Sequence, residues 1–236
     1  MQKLISLPVI TLIDLTHTLT PEIPSWDGDT GFAIDTKLDY EDCDSEIKFR
    51  VQQIKMHAGI GTHMDAPAHC VPDGATIESI GIDKLFLPCI KIDISSKANA
   101  SYSLTVADLE NFEVNHGQCL AGTFVIVHTG WDQHWQTPAR YQHNYIFPSI
   151  SKEAAELLIA RNVAGVGIDT LSPDRPSDGF IVHKLFLENN KIIIENIANA
   201  TLLPVIGSYI LAMPLKIKGA TEAPVRLIAM VFERKC

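Results

Sequence analysis

Residues 56–70 constrain the fold more than any other stretch of this 236-residue chain. Two glycines and a proline are interleaved there with three histidines and an aspartate, which argues against a regular helix. In an extended segment, side chains two positions apart point the same way, so His63 and Asp65 would converge on one side. His69 follows four positions after Asp65. We therefore expect a strand end that presents nitrogen and oxygen ligands suited to zinc or manganese.

Apolar runs typical of strands alternate with short helical segments along the rest of the chain. Thr105 and Ser151 are the residue types that begin helices, and His183 lies in a third short helical segment at 180–187. The helix that begins at Ser151 is followed directly by an apolar strand, and this pairing indicates an α/β layer. The sequence has no internal repeat or linker, so we expect residues 1–236 to form a single domain. Strands are predicted at 9–15, 34–38, 47–54, 88–94, 123–129, 163–168, 191–196, 205–213 and 225–232.

Composition narrows the class of protein. Hydrophobic residues make up 46% and charged residues 20% of the chain, as expected for a packed globular core. The net charge of -9 argues against a nucleic-acid partner. The five cysteines are widely spaced and include no Cys-x-x-Cys pair, which favours reduced thiols in the cytoplasm. The apolar stretch 202–215 contains two prolines and a glycine and is too short to span a membrane, so no membrane partner is expected.

Two further residues have alternative interpretations. Glu195 ends the apolar run 191–196, where burial of a carboxylate requires a partner, and either a metal or Arg226 could serve. Trp26 lies in an irregular loop at 20–30, where it could fold back on the core or form an aromatic wall of a ligand pocket.

The string Gly61-Thr62-His63-x-Asp65-x-Pro67-x-His69 resembles the signature of the cyclase family of metal-dependent hydrolases, which includes arylformamidases. The resemblance extends over most of the chain. It includes the loop 26–29, the turn 167–170, His183, and the segments 194–196, 214–219 and 224–226.

The resemblance implies a fold, a site and an assembly state. The fold would be the swivelling β/β/α architecture, with a mixed β-sheet core flanked by helices, and the chain would form a homo-oligomer, either a dimer or a tetramer. His69 would act as the catalytic acid and base, and Trp26 would contact the substrate. The metal ligands would be His63, Asp65, His183 and Glu195.

Position 59 departs from the family pattern. The formamidase-type motif has another histidine ligand there, whereas this chain has Gly59, and His57 lies two residues upstream as a possible replacement. A second ion would then have too few protein ligands, so we expect one tightly bound zinc or manganese ion per chain.

The sequence thus predicts a metal-dependent hydrolase of a small amide, N-formyl amine or cyclic amide, resembling an arylformamidase. The metal would activate water, and the histidine would transfer protons. The alternative is a protein of the same fold that binds a metal or small ligand without hydrolase activity, because Gly59 has opened the site.

Overall fold

The computed structural model describes residues 10–117 and 120–232. The helices are α1 (Val106–His116), α2 (Pro138–Gln142), α3 (Lys152–Ala160) and α4 (Ile181–Glu188). The strands are β1 (Ile10–Asp14), β2 (Phe32–Leu38), β3 (Val51–Met56), β4 (His63–Asp65), β5 (Phe86–Asp93), β6 (Ser103–Leu104), β7 (Phe124–His128), β8 (Ser149–Ile150), β9 (Gly165–Ile168), β10 (Ile192–Glu195), β11 (Ser208–Pro214) and β12 (Glu222–Phe232).

Eight of these strands form one mixed sheet that closes on itself. Their order is β1-β12-β11-β5-β7-β9-β10-β4, and β4 also pairs with β12. The four strands β5, β7, β9 and β10 are parallel, and the remaining pairings in this sheet are antiparallel. The short strand β4 therefore closes a barrel-like ring, and the histidine motif lies at the seam.

The parallel strands are buried on both faces, which explains their continuous apolar sequences. Every residue of β7 and β10 is buried. Phe124 and Ile126 pack into the cluster inside the ring. Val125 and Val127 pack on the other face, in a cluster that includes Leu109 of α1 together with residues of α3 and α4.

Local sequence signals account for where the helices begin. The Thr105 side chain accepts the backbone N–H of Asp108, whose carboxylate accepts the N–H of Thr105, so α1 begins with a reciprocal capping box. The Ser151 hydroxyl accepts the backbone N–H of Ala154 at the start of α3. Both predicted helix starts are confirmed, as is the mixed α/β class.

Strands β2 and β3 form a separate hairpin. The predicted strand 47–54 begins at Val51 in the structure, and its apolar side chains remain exposed instead of joining the core. Within residues 10–117 and 120–232, no helix has both the length and the apolar sequence needed to cross a membrane.

Candidate metal centre

Strand β4 places two of the expected ligands at the seam of the ring. His63 and Asp65 share one face of the strand, whereas Met64 between them packs into the cluster inside the ring. In the sheet register, His63 is opposite Glu195 on β10, and Asp65 is opposite Glu222 on β12. Cross-strand partners have Cβ atoms about 5 Å apart. Strands β4, β10 and β12 therefore bring these four polar side chains close together.

Helix α4 contributes His183, which lies over the face of β4 that carries His63 and Asp65. Asp174 accepts the backbone N–H groups of Val182 and His183, both at 2.9 Å, and so satisfies two donors of the first helical turn. His183 Nε2 lies 3.6 Å from an Asp65 carboxylate oxygen and 3.3 Å from a Glu195 oxygen. The helix therefore delivers its imidazole onto the carboxylates of β4 and β10.

The four expected ligands form a compact, buried group. His63 Nε2 lies 3.5 Å from Asp65 Oδ1 and 3.3 Å from Glu195 Oε2. Each carboxylate thus stands between the two imidazole rings. All four side chains are at most 8% exposed.

Three oxygens in this group lack hydrogen-bond donors. Asp65 Oδ1, Asp65 Oδ2 and Glu195 Oε1 are fully buried and accept no hydrogen bond from residues 10–117 or 120–232. Arg226, the alternative partner for Glu195, pairs instead with Asp14 at 2.6 Å. Buried carboxylate oxygens beside two imidazoles suit a divalent cation, so the residues present fit a metal.

The electrostatics lead to the same conclusion. Although burial opposes charge on His63, its hydrogen bond with Glu195 and the nearby carboxylates raise the pKa of His63 to about 10. Burial likewise opposes charge on Glu195, yet the His183 and His63 imidazoles beside its carboxylate lower its pKa to about 2. The carboxylates therefore require positive charge beside them. Metal binding would supply that charge and release the imidazole protons.

Both ligand imidazoles are held through their other ring nitrogen. Nδ1 of His63 lies 2.9 Å from the carbonyl oxygen of Gly61, and Nδ1 of His183 lies 2.8 Å from Asp174. Because these oxygens can only accept, each Nδ1 carries the proton and each Nε2 is left as the metal-binding atom. The sequence prediction missed Asp174. Its position nine residues before His183, in a Ser-Pro-Asp turn, does not reveal this contact.

His69 lies beside the four-residue group, on the 3₁₀ turn Pro67–His69. Its Nδ1 is 3.2 Å from Glu222 Oε2, and this contact with a carboxylate raises the pKa of His69. The sequence prediction also missed Glu222. Only the register of β12 against β4 shows that it faces the site.

A cavity of about 530 Å³ opens over these residues. Trp26 lines it and packs between two other rings, with centroid distances of 4.8 Å to Tyr145 and 5.9 Å to Phe180. The Trp26 carbonyl accepts hydrogen bonds from Tyr145 Oη and Gln142 Nε2, both at 2.7 Å. Both interpretations of Trp26 therefore hold in part, because it packs against a buried core cluster and also lines the cavity.

His57 lies away from the four ligands. Its half-exposed ring is 3.9 Å from Asp29, although the residue lines the same cavity. Gly59 lies closer to the centre. A Cβ built on it would be 3.3 Å from His63 Nε2 and would overlap Glu222 Oε1.

The Cyclase family model matches residues 13–175 of the chain. An isatin hydrolase of Roseibium aggregatum is 28% identical over 94% of this chain and 92% of its own length. A kynurenine formamidase of Erythrobacter litoralis is 28% identical over 86% of each chain.

Solved structures agree with these sequence matches. Isatin hydrolase A from Ralstonia solanacearum superimposes with a TM-score of 0.83 at 30% identity, over 94% of this chain and 92% of that one. An isatin hydrolase bound to the product analogue thioisatinate gives a TM-score of 0.85 at 27% identity, over 95% and 93% of the two chains.

Proposed function

Because the chain belongs to the cyclase family of metal-dependent hydrolases, we propose that it hydrolyses a non-peptide C–N bond in a small amide. An N-formyl amine or a cyclic amide is the substrate class. The observation that carries this proposal is the convergence of two imidazoles and two carboxylates, with three oxygens lacking donors, at the base of an aromatic-lined cavity.

One divalent ion per chain, zinc or manganese, would be held by His63, Asp65, His183 and Glu195. When bound, such an ion supplies Lewis acidity that polarises a carbonyl and lowers the pKa of water. The carbonyl of Gly61 and the carboxylate of Asp174 keep the two ligand imidazoles in the tautomer that leaves Nε2 free.

His69 would move the proton. The reaction forms a bond between a water oxygen and the amide carbon, breaks the C–N bond, and transfers a proton from water to the departing nitrogen. An imidazole can accept that proton and then donate it, since its ordinary pKa lies near neutrality. Trp26 would stack on a planar substrate and hold the bond to be broken over the centre.

The test uses metal-loaded protein and the variant His69→Ala, assayed with N-formylkynurenine and isatin. Wild-type protein should turn over at least one of them, and the variant should lose on the order of 10²–10⁴-fold in kcat. The variant should keep its metal, as measured by inductively coupled plasma mass spectrometry. Equal loss of bound metal and of turnover in His69→Ala would show that His69 is a metal ligand. Stoichiometric metal with no turnover in the wild type would favour a binding protein.

We also propose that the chain is a cytoplasmic homo-oligomer, a dimer or tetramer, that binds neither nucleic acid nor membrane. The β2–β3 hairpin supports an oligomer, because Ile34 and Ile54 lie opposite each other on it and are 43% and 55% exposed, and exposed apolar patches are typical of interfaces. Light scattering should give a multiple of the 26.0 kDa chain mass. The variant Ile54→Asp should shift the assembly toward the single chain. A monomeric wild type would contradict this proposal.

A further inference from the structure

Glu222 is a carboxylate at the site that the metal centre and the proton transfer, as described so far, do not use. It is the first residue of β12, directly opposite Asp65 in the sheet register. Its side chain is 21% exposed and lines the cavity. Its Oε2 is 3.2 Å from Nδ1 of His69, and Oε1 faces Gly59.

The absence of a side chain at position 59 makes room for this carboxylate. A Cβ on Gly59 would overlap Glu222 Oε1. Gly59 is not among the glycines with positive φ, so its backbone conformation does not itself require glycine. Gly59 and Glu222 are therefore a matched pair, in which the small residue leaves the volume that the carboxylate occupies.

We propose that Glu222 is a positioning residue that fixes the orientation and tautomer of the His69 imidazole. This inference rests on the proposed function of His69 as the proton carrier. A carboxylate can only accept, so its contact with Nδ1 requires the proton to be on Nδ1. Nε2 is then the nitrogen left with a lone pair to take a proton from water. The arrangement repeats what Gly61 does for His63 and what Asp174 does for His183.

The first test reads the tautomer directly and does not depend on turnover. Zinc-loaded protein labelled with ¹⁵N-histidine is measured by long-range ¹⁵N–¹H correlation at a pH where the His69 ring is neutral, with His69→Ala used to assign the signal. Wild-type protein should show the Nδ1–H form. Glu222→Ala should convert a large part of it to the Nε2–H form. Glu222→Gln should retain Nδ1–H, because its amide oxygen can still accept.

Gly59→Ala offers an independent perturbation that leaves both partners in place. Its methyl group should displace the Glu222 carboxylate and give the same change in tautomer as Glu222→Ala. Glu188→Ala is the matched control, because Glu188 is exposed at the end of α4, and it should leave the tautomer unchanged. Metal content is measured for every variant, since the new Cβ also approaches His63.

The second test separates positioning from a general structural effect. Loss of the outer partner of a metal-binding histidine typically costs about 10- to 100-fold in affinity or activity, and His69 is held in the same way. We therefore expect Glu222→Ala to lower kcat by about 10- to 100-fold, with KM and bound metal nearly unchanged and partial rescue in Glu222→Gln. An unchanged His69 tautomer in Glu222→Ala would overturn the proposal, as would loss of a metal ion, which would make Glu222 a ligand. If the tautomer shifts but the wild type has no hydrolase activity, the positioning role stands and the proposed function fails.

Discussion

Asp174 should control how tightly the centre holds its metal, although it is not one of the four expected ligands. It is fully buried, and its carboxylate accepts three hydrogen bonds. Oδ1 accepts the Val182 N–H, and Oδ2 accepts both the N–H and the Nδ1–H of His183. The substitution Asp174→Asn keeps the shape of the side chain but replaces one acceptor with an NH₂ donor and removes the charge.

The size of the effect follows from how the asparagine can orient. If its oxygen replaces Oδ2, His183 keeps both contacts, but the buried Val182 N–H faces another donor, at a cost of about 1–3 kcal/mol in unfolding free energy. In the opposite orientation, both His183 donors face the NH₂ group. The ring is then driven to the tautomer that blocks Nε2. The first orientation costs less, and loss of the carboxylate beside a ligand imidazole still lowers metal affinity by about 10- to 100-fold, or about 1.4 to 2.7 kcal/mol.

Metal affinity is measured by competition with a chelator of known affinity, and stability by chemical unfolding of the metal-free protein. Asp174→Asn should lower both. Asp83→Asn, at an exposed carboxylate on a surface turn, should change neither. If Asp174→Asn binds metal as tightly as the wild type, the Nδ1 contacts of His63 and His183 do not set the tautomer that coordinates the metal.

Three further predictions concern single residues. His57→Ala should leave one tightly bound ion per chain by mass spectrometry, because His57 pairs with Asp29 outside the ligand group. Two tight ions that fall to one in the variant would make His57 a ligand. His17 is stacked on Trp135, and burial lowers its pKa to about 4. The unfolded chain therefore binds more protons than the folded chain below about pH 6.5, and the free energy of unfolding falls by up to about 3 kcal/mol as the pH drops to 4. His17→Phe should remove this pH dependence, as measured by chemical unfolding at several pH values. Gly165→Ala should lower the unfolding free energy by about 1–3 kcal/mol in urea titrations, since its Cβ would lie 2.7 Å from a backbone oxygen of β10. An unchanged urea midpoint would show that β9 and β10 can move apart without lowering the free energy of unfolding.

Much of the fold was predictable because its signals are local. Continuous apolar runs predict the parallel strands, and Thr105 and Ser151 predict two helix starts through hydrogen bonds made within three residues. Closure of the ring was not predictable. It depends on a three-residue strand, β4, that pairs with strands from far along the chain.

The candidate site also has a part that was predictable from sequence and a part that was not. The resemblance to the cyclase family implied His63, Asp65, His183 and Glu195 as ligands, and the structure brings these four residues together. Asp174 and Glu222 escaped prediction because their roles depend on distances to Nδ1 atoms. No period or motif encodes those distances. The position of Arg226 was likewise undetermined from sequence, and only the structure assigns it to Asp14 instead of Glu195.

Metal binding should also hold the ring closed, because the expected ligands lie on β4, the strand that closes the ring, and on its neighbour β10. His63 and Asp65 are on β4, and Glu195 is on the neighbouring β10. Without a cation, burial and the neighbouring Glu195 carboxylate raise the pKa of Asp65, so the charged form of Asp65 is unfavourable. An ion at 100 times its dissociation constant stabilises the fold by about 2.7 kcal/mol, which for a chain of this size raises Tm by roughly 5 to 10 °C.

Removing the metal with a chelator should therefore lower Tm by that amount, and adding zinc or manganese back should restore it. Hydrogen exchange should show that lost protection is concentrated in β4 and in the ends of β10 and β12 that pair with it. The parallel strands β5, β7 and β9 should keep theirs, because their hydrogen bonds do not cross the seam. Loss of protection spread evenly over the sheet would show that the ion stabilises the fold as a whole and that the seam is no weaker than the rest of the ring.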